Sequence, residues 1–540
     1  MRKVAENKDK KFSRKKKDFI PQETFPFDER RKQKIIEREE YNEKKDMEQE
    51  KEQQSIEEKE TVVKPSRSSI IRNQEKINRQ ILKISYLFVG LFLVLMGYIG
   101  YFVSVTSKDI VTNPRNQRQD ILAERVIRGD IKSSDGEIIA TTKVDGQNET
   151  RVYPFDRLYC HVVGYTDKGK YGLESAETFT LTSVHGNFLE QVSSTLLHKK
   201  MKADTIVTTL NHRLQEVAYE ALGDKKGAVV AMEPTTGKIL AMVSKPGFNP
   251  NRLKEDWDFI NSEEEQANSR LLNRATQGIY PPGSTFKLLT ALEFMREFPN
   301  YQDFSYDCKG TGQFFGVSIQ CYNKTKHGNV DLKKAIAHSC NTAFAQIGTK
   351  INKAKMYQLC ETMLFNRPLH VNFPYKKSRY ILNEQSSNKD VPQTVIGQGD
   401  IGMTPLHLAM VTSAIANSGT MMKPYLVDRI QTYDGKNVSK YTGKSYGTVM
   451  TVQEANVLTD MMKETVNVGT GTKLKNSSYS VACKTGTAEY EEGKKPHSWC
   501  TAFAPADNPK IVVCVIVESS GSGSSYALPI VKQLINSYLQ

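Results

Sequence analysis

Pro281-Pro282-Gly283-Ser284-Thr285-Phe286-Lys287-Leu288-Leu289-Thr290-Ala291-Leu292 is the stretch that decides how this chain is read. Pro281-Pro282-Gly283 stops the preceding segment, and the apolar run from Lys287 continues as a helix. Ser284 then stands at the first turn, where free backbone N–H groups and the helix dipole favour developing negative charge. The i, i+3 spacing puts Lys287 on the same helix face as Ser284, and a serine hydroxyl beside a base is a nucleophile arrangement. Ser-x-x-Lys alone is weak, because an N-cap serine with a surface lysine has the same spacing. The chain contains it three times. Ser13/Lys16 falls in a charged tail and Ser386/Lys389 in a polar loop; only Ser284/Lys287 opens a helix.

Working outward, two further signatures follow in order. Ser339-Cys340-Asn341 ends an apolar helical run, Leu332 to Ala337. Lys484-Thr485-Gly486-Thr487 lies in a strand that begins Ser480-Val481-Ala482-Cys483. The surroundings predict a sheet. Gly227 to Met232 and Lys238 to Val243 are apolar strands joined by Glu233-Pro234-Thr235-Thr236-Gly237, a hairpin turn. Tyr479 to Thr487, Ser498 to Phe503 and Lys510 to Glu518 are three later strands, and Leu528 to Leu539 closes the chain as a helix. His212 to Leu222 has helical spacing, and Thr205 to Thr209 reads as a strand. Strands at both ends with helices between them predict an α/β domain over 204–540 whose sheet is completed by distant segments. Before it, 108–203 is a smaller β-rich module, in which Arg128 to Ile131 and Ser134 to Ala140 read as strand, turn and strand.

The N-terminal region is of another kind. The 540 residues carry a net charge of +14, but residues 1–83 hold so many charges and so few large apolar groups that they cannot offset their ordering entropy. This tail is disordered or an exposed helix; Ile36, Met47 and Ile56 sustain no heptad. Its Ser13-Arg14-Lys15-Lys16-Lys17 cluster suits a lipid or protein surface better than nucleic acid. Ile84 to Val105 carries no charge, and its length of about 33 Å matches a bilayer core of about 30 Å. Lys64, Arg67, Arg72, Lys76, Arg79 and Lys83 precede it against a single Glu75. By the positive-inside rule the tail is cytoplasmic and the chain after Val105 extracytoplasmic, in a single-pass cell-membrane protein.

All eight cysteines follow the span. None forms a CxxC pair or a metal spacing with histidine, so no metal site is predicted. Cys308 and Cys321 bracket a short segment and are either bridged or, with the others, reduced core residues.

The three ordered signatures resemble those of the class B penicillin-binding proteins, especially the smaller ones with a short juxtamembrane module. The resemblance covers Asn113 to Leu539. It includes Asn113-Pro114-Arg115-Asn116, Arg128-Gly129-Asp130-Ile131, Ile396-Gly397-Gln398-Gly399, Thr404-Pro405-Leu406 and Phe503-Ala504-Pro505. It implies an antiparallel five-stranded sheet flanked by helices and a peptidoglycan D,D-transpeptidase that needs no cofactor. It further implies that Ser284 is the nucleophile, Lys287 the acylation base and Ser339 a proton relay, with Asn341 orienting the substrate amide. Thr485 and Thr487 would hold the substrate carboxylate, Gly486 would admit it closely, and the N–H groups of Ser284 and Thr487 would form the oxyanion hole. An ordinary lysine is protonated at neutral pH; burial, with Lys484 as a second cation, would have to supply on the order of 4 kcal/mol to make Lys287 a base.

Implied ligands and partners are stem peptides ending in D-Ala-D-Ala, lipid-linked precursor, β-lactams, and a polytopic SEDS-type glycosyltransferase. Two departures stand out. Cys483 replaces a frequent glycine, which narrows the strand face behind the site, and Tyr171 to Thr182 is abbreviated. A serine β-lactamase or penicillin sensor would use the same acylation apparatus. No class A-type glutamate motif accompanies it, however, and class D enzymes and sensors usually carry an apolar residue where this chain has Asn341. A noncatalytic scaffold would not need the three intact signatures.

Overall fold

The computed structural model describes residues 67–102, 124–186, 193, 196, 197, 199–476 and 478–540. The expected charged tail up to residue 66, residues 103–105 of the expected span and Asn113-Pro114-Arg115-Asn116 lie outside them. The chain divides after Tyr101 into two units.

The first unit contains helix α1 (Arg67–Tyr101), long and apolar enough to cross a membrane. Its large side chains, among them Leu87, Phe92, Leu93 and Val94, are exposed. A helix apolar all round is out of place in water, so α1 fits a single-pass membrane anchor. It also runs back well beyond Ile84, through Arg72, Lys76, Arg79 and Lys83. Unbranched side chains of this kind lose little rotamer freedom in a helix and prolong one already nucleated.

In the second unit the two-residue strand Val126–Ile127, paired in parallel with Met201–Lys202, precedes strands β1 (Ile131–Lys132), β2 (Ile138–Asp145) and β3 (Asn148–Val152). In the turn between β1 and β2 the Glu137 N–H donates to Ser133 Oγ at 2.9 Å. The short helix α2 (Gly172–Ala176) lies in the abbreviated segment and carries Glu174, which is fully buried. Arg128 and Arg151 close on its carboxylate at 2.6 and 2.7 Å. Burial alone would raise this carboxyl; the two guanidinium groups outweigh burial and hold it below its ordinary range.

Strand β4 (Thr205–Thr208) pairs in parallel with β1 and antiparallel with a strand from far along the chain, Val427–Gln431. The result is one mixed six-stranded sheet, ordered Asn437–Lys440, Val427–Gln431, β4, β1, β2, β3. It runs through both the expected module and the expected α/β domain, so the sheet does not end at residue 203.

Helix α3 (His212–Leu222) is capped by Asn211, whose side chain accepts from the Leu214 N–H. Strands β5 (Gly227–Met232) and β6 (Ile239–Lys245) form the expected hairpin. Helices α4 (Lys287–Glu297), α5 (Leu332–Ala337), α6 (Asn341–Gly348), α7 (Pro405–Ala416) and α8 (Val452–Asn467) follow. Strands β7 (Ala482–Ala488), β8 (His497–Ala504) and β9 (Ile511–Val517) then join the hairpin in the order β7-β8-β9-β5-β6, antiparallel throughout. Helix α9 (Ala527–Leu539) ends the chain.

Both faces of this five-stranded sheet are buried, which is why β9 reads Ile-Val-Val-Cys-Val-Ile-Val without alternation. Val229, Ala231, Val513 and Val515 face Leu214, Ala218, Val531 and Leu534 of α3 and α9. Ala228, Val230, Val512 and Cys514 face the other core, with Leu408 of α7 and Leu288 of α4. Strand β7 begins three residues later than the sequence predicts; Tyr479 donates its hydroxyl to Asn536 of α9 instead of pairing in the sheet.

Candidate active site

β7 is one of the two edge strands of the five-stranded sheet, so it has no strand partner on its outer side. Against it lies the turn bearing Ser284. Gly283–Thr285 is a 3-10 turn leading directly into α4, with Thr285 Oγ1 donating to the Pro282 carbonyl at 2.7 Å. Gly283 has φ +53 and donates its N–H to the Gly397 carbonyl at 2.9 Å. A Cβ on Gly397 would sit 2.0 Å from the Gly283 carbonyl oxygen, so only glycine fits there. Trp499, fully buried on β8, donates its indole N–H to the Pro281 carbonyl at 2.9 Å. With its amide oriented to satisfy both partners, Gln398 bonds the backbone C=O and N–H of Glu489 just past β7. The Ser284 turn is thus held by Gly397 and Trp499, and Gln398 ties the Gly397 segment to the residue after β7. Ser284 Oγ has no side-chain hydrogen bond among the described residues, and the residue is half-buried.

Lys287 is fully buried. Its Nζ donates to the Ser339 carbonyl at 2.8 Å, to Asn341 Oδ1 at 2.6 Å and to Ser339 Oγ at 3.4 Å. From the other side, fully buried Lys484 donates to Ser339 Oγ at 2.9 Å and to the Thr485 carbonyl at 2.9 Å. The three signatures therefore meet on one hydroxyl. Burial pushes the Lys287 ammonium down to about 8, against an opposing influence of Cys340 and Cys321. Burial, then the like charge of Lys287, pushes Lys484 well below its ordinary range. Burial, with Lys484 as a second cation, was expected to depress Lys287; burial leads both shifts, and the like-charge influence falls on Lys484 rather than on Lys287.

Ser339 sits at φ +57, a left-handed conformation that disfavours a side chain. It follows α5 and precedes Cys340, the N-cap of α6, whose Sγ accepts from the Ala343 N–H at 3.4 Å. Asn341 is held at both ends, its Nδ2 donating to the Gln320 carbonyl at 2.8 Å.

Thr485, Gly486 and Thr487 follow Lys484 on β7, paired with Cys500, Trp499 and Ser498. A Cβ on Gly486 would lie 3.1 Å from Thr285 Cγ2 and 3.2 Å from the Pro282 carbonyl oxygen. Gly486 thus lets the Ser284 turn itself approach the strand. Cys483 does not crowd the sheet: the space its Sγ fills is left by Gly471, where a Cβ would come within 2.3 Å of that sulfur. Between Gly469 and Gly471, Thr470 shares a hydrogen bond of 2.6 Å with the Thr485 hydroxyl. The sequence reading passed over Thr470 and Trp499; the glycines flanking Thr470 were the one local signal.

Beside the Ser339 turn the fold gathers Cys308, Cys321, Cys340 and His327, with their ligand atoms within 4.8 Å of one another. The spacing in sequence did not reveal this group. Cys308 and Cys321 are unbridged, with their sulfurs 3.7 Å apart.

Residues 227–536 match the penicillin binding protein transpeptidase domain, and residues 128–206 the penicillin binding protein A dimerisation domain. The peptidoglycan D,D-transpeptidase PbpA of Mycolicibacterium smegmatis is 32% identical over 462 residues, covering 79% of this chain and 92% of that protein. The PbpA of Mycobacterium tuberculosis is 30% identical, over 86% of this chain and 99% of that protein. The structure of penicillin-binding protein A from M. tuberculosis as a penicillin G acyl-enzyme superimposes with a TM-score of 0.70 at 30% identity, covering 77% of this chain and 100% of that one. With a transpeptidase domain over more than half its length and full-length relatives of this kind, the chain belongs to the class B penicillin-binding proteins.

Proposed function

We propose that the chain is a peptidoglycan D,D-transpeptidase working through a Ser284 acyl-enzyme. The observation that carries this reading is the convergence of Lys287 and Lys484 on the Ser339 hydroxyl beside the Ser284 turn. Lys287, lowered by burial, takes the Ser284 proton as Oγ attacks the penultimate D-Ala carbonyl of a stem peptide. The oxyanion accepts from the N–H groups of Ser284 and Thr487, each donor worth about 3 kcal/mol. Ser339, bonded to Lys484, passes a proton to the departing D-Ala nitrogen. An acceptor amine then attacks the ester, returns its proton by the same relay and leaves a cross-linked peptide with Ser284 restored. Thr485 and Thr487 hold the donor's terminal carboxylate, Lys484 adds positive charge, and Asn341 orients its amide. A β-lactam enters the same site and leaves a ring-opened acyl group on Ser284.

In this reading 1–83 is a cytoplasmic tail and 84–105 the span. Residues 108–203 form the juxtamembrane module and 204–540 the catalytic domain, both outside the cell. The basic flank before the apolar run supports that orientation. Such a chain, with no polymerising signature of its own, works beside a SEDS-type glycosyltransferase on lipid-linked precursor. The test is the full-length protein in detergent with a synthetic stem pentapeptide and an acceptor amine. Free D-Ala and a cross-linked dimer are expected in equal amounts. Rapid turnover of penicillin without cross-linking would make the chain a β-lactamase instead.

A further inference from the structure

The chemistry of Ser284 asks Thr485 to donate a hydrogen bond to the substrate carboxylate, and a threonine hydroxyl has a single proton to give. That hydroxyl is already paired. Thr485 Oγ1 and Thr470 Oγ1 lie 2.6 Å apart, so one of them donates to the other. Thr485 is buried and Thr470 half-buried. With Thr485 as the donor, only its lone pairs would face an incoming carboxylate, oxygen against oxygen. With Thr470 as the donor, the Thr485 proton is left for the substrate. Among the described residues Thr485 is the one hydrogen-bond partner of the Thr470 hydroxyl, so no other acceptor draws its proton away. A bound carboxylate therefore selects the order Thr470 O–H to Thr485 O–H to carboxylate, in which each bond polarises the next.

The fold places Thr470 for this from two directions. It lies in Val468-Gly469-Thr470-Gly471, the loop that leaves α8 for β7. The N–H groups of Gly469 and Gly471 both donate to the Thr465 carbonyl of α8, at 3.2 and 2.9 Å. The Thr470 N–H donates elsewhere, to the Ala337 carbonyl at 3.1 Å. Ala337 ends α5, just before His338 and Ser339, and its carbonyl is one of those that a helix end leaves without an intrahelical partner. A Cβ on Gly469 would fall 2.0 Å from that same carbonyl oxygen, and one on Gly471 2.3 Å from Cys483 Sγ. Glycine on each side thus lets the loop press between the end of α5 and β7. Thr470 grips the first with its backbone and the second with its hydroxyl, and these two elements bring Ser339 and Lys484 to the site.

We propose that Thr470 is a positioning residue for the donor's terminal carboxylate: its hydroxyl donates to Thr485 Oγ1 and so turns the Thr485 proton toward the substrate. Thr470 touches no reacting atom and acts through Thr485. Its contribution is confined to ligands that carry the carboxylate, a stem peptide or a penicillin alike. The inference deepens the Ser284 reading and rests on it.

The test compares the full-length wild type with Thr470→Val, both in detergent, against penicillin G and against its neutral methyl ester. The Ser284 adduct is followed by mass over time. Valine keeps the shape and the N–H to Ala337 and removes the hydroxyl alone. Acylation by penicillin G should slow about tenfold, as the loss of one hydrogen bond implies, while acylation by the ester is unchanged. Thr470→Ser should restore the penicillin rate. In a Thr485→Val background Thr470→Val should cause no further loss, because the proton it orients is gone. Equal slowing of both ligands, no rescue by serine, or additive losses in the double variant would make Thr470 a structural residue only and overturn the proposal. A penicillin rate equal to that of the wild type would overturn it too. Should Thr470→Val fail to fold, Thr470→Ala, which also keeps the N–H, carries the same comparison. A wild type that forms no adduct at Ser284 would sink the Ser284 reading itself, so the two failures are distinguishable.

Discussion

Lys287 and Lys484 are both fully buried and both end at the Ser339 hydroxyl, so in the proposed mechanism the protonation of this pair governs whether Ser284 can be activated. Burial brings Lys287 to about 8. Below that pH it is an ammonium with no capacity for the Ser284 proton, and above it the free amine accumulates. The acylation rate constant with a neutral β-lactam should therefore rise about tenfold per pH unit up to 8 and then level off. Stopped-flow measurement on the wild type checks this; a profile flat from pH 6 to 9 would remove Lys287 as the base. The sign for stability is the same. Folded Lys287 binds fewer protons than unfolded lysine between pH 8 and its ordinary 10.5, so its contribution to stability rises with pH across that window. Much at this scale was legible in the sequence, because Ser284, Lys287, Ser339, Asn341 and Lys484 sit in ordered motifs. Thr470 was not legible: its meeting with Thr485 is made by packing between α8 and β7, and the flanking glycines of its Gly-Thr-Gly loop mark a turn without specifying that partner.

At the scale of elements, the five strands of the central sheet were readable as apolar runs because both faces are buried. Of the six-stranded sheet, Thr205 to Thr209 and the strands on either side of the Ser134 turn were readable, but not the strands at 427–440 or the pairing across large separations that joins them. Helix α2 shows what its segment does: Glu174 ties the residues just before β1, through Arg128, to β3, through Arg151. Removing one partner of a buried ion pair typically costs about 3–5 kcal/mol. Arg151→Met should therefore lower unfolding stability by roughly 3 kcal/mol, Arg128 still partly pairing the carboxylate, while penicillin acylation of the folded fraction is unchanged. Denaturant titration alongside labelling checks this. A variant as stable as the wild type would mean that the pair contributes orientation only.

For the whole molecule, acid stability follows from two buried histidines. His161 bonds the Arg270 carbonyl at 2.7 Å and His407 the Met363 carbonyl at 2.6 Å. Burial pushes each ring down to about 4. Below pH 6.5 the unfolded chain binds protons that the folded one refuses, so stability falls as pH drops from 6.5 towards 4. The loss is on the order of 3 kcal/mol per histidine. Glu174, whose carboxyl is held low, adds a further loss at still lower pH as it protonates. Melting temperature should therefore decline over that window, and His407→Gln should make the decline shallower; an unchanged slope would place these rings outside the acid response.

The account as a whole stands on acylation of Ser284 Oγ, in a turn held by Gly397 and Trp499 beside the two lysines that meet at the Ser339 hydroxyl. Mass mapping of peptides after brief treatment of the full-length protein with penicillin tests this most directly. The account predicts one intact, ring-opened adduct on the peptide containing Ser284, persisting through a chase and absent from Ser284→Ala. An adduct on any other residue, or one that hydrolyses within seconds, would contradict it.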